Sequence, residues 1–268
     1  TPLTAIETFK PLVTNSADSL PNGYIGSALE DYYDNVDILF GQAASASQKN
    51  TLTNEYLTAF ALVQDGTKLP SQFSRQRMWL TKSFGACQNM DSREEFVHRM
   101  GDFAIYWKDV VKFKPSAQQI ILPRTEKLQN LTDAKEALFC VLYLNDAGHI
   151  MANTILGRFY GQILRNKPNS DHEFAIACKS IAAFFTLWRA ALPNTGLDDV
   201  YRKLLASKMS WKLGDTFLTV PNLKDYLKQS LISKGIGTKQ DWILKAAQGL
   251  RYDVVKTLCK FVLFVVAH

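Results

Sequence analysis

Ser92-Arg-Glu-Glu-Phe96-Val-His98-Arg-Met100-Gly-Asp-Phe103-Ala104-Ile-Tyr-Trp107-Lys108-Asp-Val110-Val111 is the stretch that decides the fold class. Phe96, Met100, Phe103, Ala104, Trp107, Val110 and Val111 recur at intervals of three and four, so a helical turn stacks them on one face. The run ends before Pro115, which has no amide hydrogen to continue a helix. A second run behaves the same way: Phe174, Cys178, Ile181, Ala182, Phe185 and Trp188 follow Ser170 and stop before Pro193.

Between these two runs, residues 132–147 and 151–164 read as apolar helices joined by a short turn around Gly148, an arrangement that predicts an antiparallel pair. Further helices are expected over 28–40, 53–63, 71–84, 198–208, 223–233, 240–248 and from Tyr252 onward. Thr4/Glu7, Ser27/Glu30, Ser92/Glu95 and Ser170/Glu173 match the capping box, in which a hydroxyl and an acid three residues on satisfy each other's amides. Only Phe217-Leu-Thr-Val220 hints at a strand. The expected fold is all-α, an irregular multi-helix bundle of about ten to twelve helices with little or no strand. One domain over 1–268 is expected, with 114–132 the only internal boundary the sequence offers. Residues 41–50, small and polar, are the expected mobile loop.

A chain of 268 residues with 47% hydrophobic and 12% aromatic residues can bury a large core and does not read as disordered. The 31 Lys and Arg against 25 Asp and Glu give a formal charge of +6, compatible with an acidic partner such as nucleic acid. Cys87, Cys140, Cys178 and Cys259 lie too far apart for a zinc ribbon or redox pair. Cys140 and Cys178 sit in apolar runs and read as buried thiols of a reducing compartment, which points to a cytoplasmic protein. The opening Thr1-Pro2 shows no secretory pattern. The most apolar stretch, 254–267, is broken by Lys256 and Lys260 and is too short to span a bilayer. Both ends read as cut from a longer chain.

Glu95-Phe-Val-His98 fits the Glu-x-x-His pattern of di-iron bundles, but its only echo is Asp146-Ala-Gly-His149, so a capping role for Glu95 is expected and no metal site is assigned. Glu30, Asp31, Asp34 and Asp37 could face a hard cation; acids at a helix start also meet the macrodipole without one. Gly157 and Gly161, one turn apart, would let another helix approach closely. Gly235-Ile-Gly237 is too short for a dinucleotide fingerprint. No catalytic residue is assigned.

Basic residues gather in three places beside aromatics: Arg75, Arg77 and Lys82; Lys108, Lys112 and Lys114; and Arg158, Arg165 and Lys167. Helices carrying them could follow a phosphate backbone with salt-dependent, sequence-independent affinity, the alternative being an ordinary solvated face.

Pro2-Leu-Thr-Ala-Ile-Glu-Thr-Phe-Lys-Pro11 resembles the segment that closes the N-terminal ParB/sulfiredoxin-like NTPase domain of GmrSD-type proteins. Phe185-Thr-Leu-Trp-Arg189-Ala-Ala-Leu-Pro-Asn194-Thr-Gly-Leu197-Asp-Asp-Val-Tyr201 resembles the helix-turn-helix stretch of the same family, where an Arg ends a helix and an Asn-containing turn leads into the next. Trp188 stands where that family usually has the first of two adjacent Arg residues, and Arg189 matches the second. The resemblance implies a bacterial modification-dependent restriction or phage-defence enzyme that couples nucleotide hydrolysis to DNA cleavage by a C-terminal HNH nuclease. Neither the family's Asp-Gly-Gln-Gln-Arg motif nor the nuclease ligands occur here. The resemblance therefore implies a helical connecting region without a cofactor of its own, in a parent using NTP and a divalent metal. Its partners would be the flanking NTPase and HNH domains and DNA, with Arg189 added to the candidate DNA contacts and no membrane involved. The competing expectation is a helical scaffold that binds another protein, motivated by Tyr32, Tyr33 and Trp242 as surface aromatics.

Overall fold

The computed structural model describes residues 3–41, 43, 45–128, 130–193 and 195–267. Twelve α-helices and no sheet occur among them, the one β-type pairing being an isolated bridge between Ser116 and Gln119. The all-α expectation is met. The chain divides into two compact units, Thr1–Lys112 and Phe113–His268.

The first unit holds α1 (Ala5–Ser16), α2 (Ala28–Gly41), α3 (Ala46–Asp65), α4 (Phe73–Gly85) and α5 (Met90–Tyr106), the last continued by a wider π-turn over Trp107–Val111. α1 starts where Thr4 and Glu7 cap each other: the Thr4 amide donates to Glu7 Oε2 at 2.8 Å and the Glu7 amide to Thr4 Oγ1 at 3.3 Å. The periodic face of α5 meets α3 in an aromatic cluster. Tyr56 and Phe60 lie against Phe96, Phe103 and Trp107, largely edge-to-face or tilted, as ring quadrupoles favour. Burial of Tyr56 leaves its hydroxyl in need of an acceptor, and it donates to the Met100 carbonyl at 2.7 Å.

α2 packs along α5, and Gly101 sets how closely. A Cβ there would lie 2.6 Å from the Tyr32 carbonyl oxygen, inside van der Waals contact with backbone that cannot rotate away. We expect Gly101→Ala to destabilise the unit by about 1–3 kcal/mol, as overpacking does. Equilibrium urea denaturation checks it, and an unchanged midpoint would mean that the two helices are free to separate.

The second unit is organised around α8 (Ser170–Ala191), against which α6 (Leu131–Asp146), α7 (Ala152–Leu164), α10 (Val220–Ile232) and α11 (Lys239–Gly249) all pack. α9 (Asp198–Leu204) runs on into a π-turn over Leu205–Met209, and Trp211–Leu213 forms one 3-10 turn. α12 (Lys256–Ala267) lies on α6, with Phe264 stacked on Phe139 at 4.1 Å and Phe261 on Tyr143 at 3.8 Å. α8 is long and apolar enough to cross a membrane, yet most of it is buried among its neighbours. Gly249 gives α11 its approach to α8, since a Cβ there would overlap the Ala190 carbonyl.

Several expectations change in detail. α6 and α7 pack chiefly on α8 and not along each other. α5 is capped by Asn89, whose side chain accepts from the Ser92 amide at 2.9 Å, so Glu95 falls in the second turn and pairs with Arg99. Glu173 does not cap its own helix: its Oε2 accepts from the Val220 amide at 2.7 Å, tying the start of α10 to α8. Residues 217–220 form a turn and the start of α10 in place of a strand, Thr219 capping that helix. α3 begins at Ala46 and takes up much of the expected 41–50 loop; Gln42 and Ala44 lie outside the described residues.

Candidate nucleic-acid interface

α4 buries Gln76, Trp79, Leu80 and Phe84 on one side, and Arg75, Arg77 and Lys82 are exposed on the rest of its circumference. Arg75 and Lys82 are two turns apart and so share a stripe with Met78, whereas Arg77 emerges at the opposite edge of the exposed arc. Lys108 lies in the π-turn and Lys112 just after it, both exposed, and Lys112 pairs with Glu55 at 3.1 Å. Lys114 is exposed just beyond.

The third basic group does not form a surface cluster. Arg158 is 0% exposed. Its Nε donates to the Met209 carbonyl at 2.7 Å, and its Nη2 to the Gly214 carbonyl at 3.1 Å and to Asp215 Oδ1 at 2.6 Å. The guanidinium sits 5.0 Å from the Trp211 ring centre, and that indole is what Gly161 faces: a Cβ there would meet it at an ordinary contact distance of 3.8 Å. Arg158 is thus engaged by the segment 209–215 and closed to a phosphate backbone, a correction to its place among the candidates. Burial alone would raise the Asp215 carboxyl, but hydrogen bonds from Arg158 and Gln162 hold it below the usual carboxylate range. Arg165 is half-buried and Lys167 exposed. Arg189 ends α8, half-buried, with Nη1 donating to the Pro193 carbonyl at 3.1 Å.

The Glu95/His98 pair is held within α5. His98 lies between Glu95 (3.8 Å) and Asp102 (3.4 Å) and stacks on Tyr32 with ring centres 4.0 Å apart. Among the described residues no group of three or more His, Cys, Asp or Glu is arranged to hold a metal. In the acidic run of α2, Glu30 accepts from the Gly26 amide and Asp37 pairs with Lys10. Tyr33 and Trp242, expected at the surface, are core residues at 0% and 3% exposure, and Tyr32 is covered by His98. Cys140 and Cys178 are free and buried, and burial pushes the Cys140 thiol up to about 12.

Two features of the second unit were not singled out by the sequence. One is a polar cleft of about 500 Å3 between the loop 122–128 and the α7–α8 connection, lined by Arg124, Glu126, Lys127, Asn166, Lys167 and Asp171 among others. Arg124, Asn166 and Asn169 are the only non-glycine residues with left-handed backbone among those described, and all three line it. Such conformations cost energy and gather where function demands them; the Asn166-Lys-Pro-Asn169 run is the sequence trace of the second and third. The other feature is His149, 4% exposed, stacked on Phe185 at 4.3 Å and 5.2 Å from the Tyr201 ring. Neither His149 Nε2 nor Tyr201 Oη has a hydrogen-bond partner. No family model and no curated protein matches this sequence.

Proposed function

We propose that the chain is the helical connecting region of a GmrSD-like, nucleotide-dependent and modification-dependent DNA endonuclease of bacterial phage defence, and that it contacts DNA without being catalytic itself. The observation that carries the reading is the form of residues 185–201. They make the end of α8, a turn and the start of α9, the local architecture of the family stretch they resemble. The turn is tied by Arg189 to the Pro193 carbonyl and by Trp188 Nε1 to the Thr195 carbonyl at 3.4 Å, while Asn194 lies outside the described residues. Nucleotide and divalent metal belong, on this reading, to the flanking NTPase and HNH domains.

DNA contact falls to the exposed cations Arg75, Arg77, Lys82, Lys108, Lys112 and Lys167. Engaging phosphates releases counterions, so affinity for duplex DNA falls steeply as salt rises, with no preference among sequences. In fluorescence anisotropy, Arg75→Gln with Lys82→Gln is expected to weaken binding uniformly and to flatten the log–log salt slope by about 1 for each phosphate no longer neutralised. Absence of binding even at low salt would remove DNA from the proposal.

A second reading, a helical scaffold for another protein, draws on a specific observation. Ile243 and Leu244 on α11, and Leu263, Val265 and Val266 on α12, are all exposed apolar side chains, Val266 at 81%. Apolar surface that gathers on a fold marks binding faces.

A further inference from the structure

The cleft beside the α7–α8 connection asks for a ligand that neither reading supplies. Two separate segments bring charges of both signs to one small volume: Arg124, Glu126 and Lys127 from the loop, Lys167 and Asp171 from the other side. The lysines are not neutralised by these acids. Lys127 makes only a long hydrogen bond to Asn166 Oδ1, 3.4 Å, and no ion pair joins Lys127 or Lys167 to Glu126 or Asp171 among the described residues. Asp171 lines the cleft and its carboxylate accepts no hydrogen bond among the described residues; Oδ1 faces the protein and the half-exposed residue turns Oδ2 outward. A carboxylate without a protein donor is free to accept from a ligand.

A ligand that engages both sets of groups carries negative charge for the lysines and a hydroxyl or amine donor for Asp171. Inorganic phosphate carries the charge and a P–OH donor, but it fills little of a cleft of about 500 Å3. A DNA backbone has phosphates but no free hydroxyl along the strand. A divalent cation would meet three cationic side chains. We propose that this cleft binds a phosphorylated sugar with free hydroxyls, its phosphate on Lys127 and Lys167 and a hydroxyl donating to Asp171. The volume suits such a molecule, since small-ligand sites run from about 300 to 1,000 Å3. Burial raises the Asp171 carboxyl while Lys127 pulls it down, as expected of an acid facing a partly enclosed space. The site does not rest on the DNA-binding reading: of the DNA contacts proposed above it uses only Lys167, and a deoxyribose chain lacks the hydroxyl that would donate to Asp171.

Two sources share this chemistry, a free sugar phosphate and the ribose-phosphate chain of RNA. The test titrates the whole 268-residue chain with ribose 5-phosphate and with inorganic phosphate by calorimetry, and with matched ribo- and deoxyribo-oligonucleotides by anisotropy. Ribose 5-phosphate is expected to bind at least tenfold tighter than inorganic phosphate. Lys127→Gln with Lys167→Gln should weaken it tenfold or more, and Asp171→Ala should narrow the gap between the two ligands. Both lysines are exposed, so an unchanged melting temperature will show that the double variant folds. Ribo-oligonucleotide binding that the same variants weaken and ribose 5-phosphate displaces would identify RNA as the source; binding of the small ligand alone would identify a free sugar phosphate. Failure of ribose 5-phosphate to bind, or equal binding by the double variant, overturns the proposal.

Discussion

Arg158→Met is expected to destabilise the second unit by about 2–5 kcal/mol, the cost of leaving the shielded carbonyls that the guanidinium serves without their donor. Methionine keeps the unbranched apolar stem, so the loss is polar and not a cavity. It leaves the Met209 and Gly214 carbonyls without their donor and Asp215 without its cation. Arg158→Lys should recover only part, since a single ammonium cannot reproduce the planar fork that reaches several acceptors and lies over the Trp211 ring. The reciprocal change, Asp215→Asn, should cost a comparable amount: asparagine keeps an acceptor at a side chain 47% exposed, but the fully buried Arg158 charge loses its anion. The Met209, Gly214 and Asp215 acceptors lie in 209–215, which connects α9 to α10, so amide exchange there should accelerate before the rest of the unit responds. A loss below about 1 kcal/mol for Arg158→Met would show that the network is dispensable.

What the sequence made legible follows from the range of the interactions involved. α5 and α8 could be read because helical periodicity and terminating prolines are local, and the Thr4/Glu7 cap because both partners lie within one turn. Glu173 shows where such reading fails. Its spacing from Ser170 satisfies the capping pattern, but the Val220 amide, far along the chain, competes for the same carboxylate and takes it. Arg158 fails for the same reason in a stronger form. An arginine between apolar residues and near Arg165 looks like part of a basic face, and nothing local reveals three oxygen acceptors from 209–215 converging on it. Tyr33 and Trp242 look like surface aromatics because their neighbours are charged; the Tyr33 hydroxyl in fact finds the Ile6 carbonyl at 2.9 Å, which offsets the cost of its burial. Close helix approaches at Gly101 and Gly249 have no spaced signature, because a single glycine sets each of them. The polar cleft is assembled from segments far apart along the chain and has no motif at all.

Acid should weaken the second unit through His149. Burial, reinforced by the nearby Arg189, holds this imidazole down to about 3, against about 6.5 in an unfolded chain. The unfolded state therefore binds a proton that the folded state refuses throughout that interval. The stabilisation from His149 is complete above about pH 6.5, falls by about 1.4 kcal/mol for each pH unit below it, and is exhausted near pH 3. Phe185 on one side and Tyr201 on the other offer no carboxylate to rescue the imidazolium. Glu7, Asp215 and Asp241 are held below their ordinary values and lose their contributions only in the carboxylate range, and the difference between the protein and its His149→Phe variant isolates the histidine over about pH 5–6.5. His149→Phe should remove the slope in that window. At neutral pH the same variant should be close to the parent in stability, because the ring it introduces can stack on Phe185 and the orphaned Nε2 disappears with the imidazole. Urea denaturation at half-unit steps from about pH 5 to 7 reads both effects. Parallel pH profiles for the two proteins would mean that His149 is protonated in the folded state or reaches solvent, and would defeat the account of it as a neutral core residue.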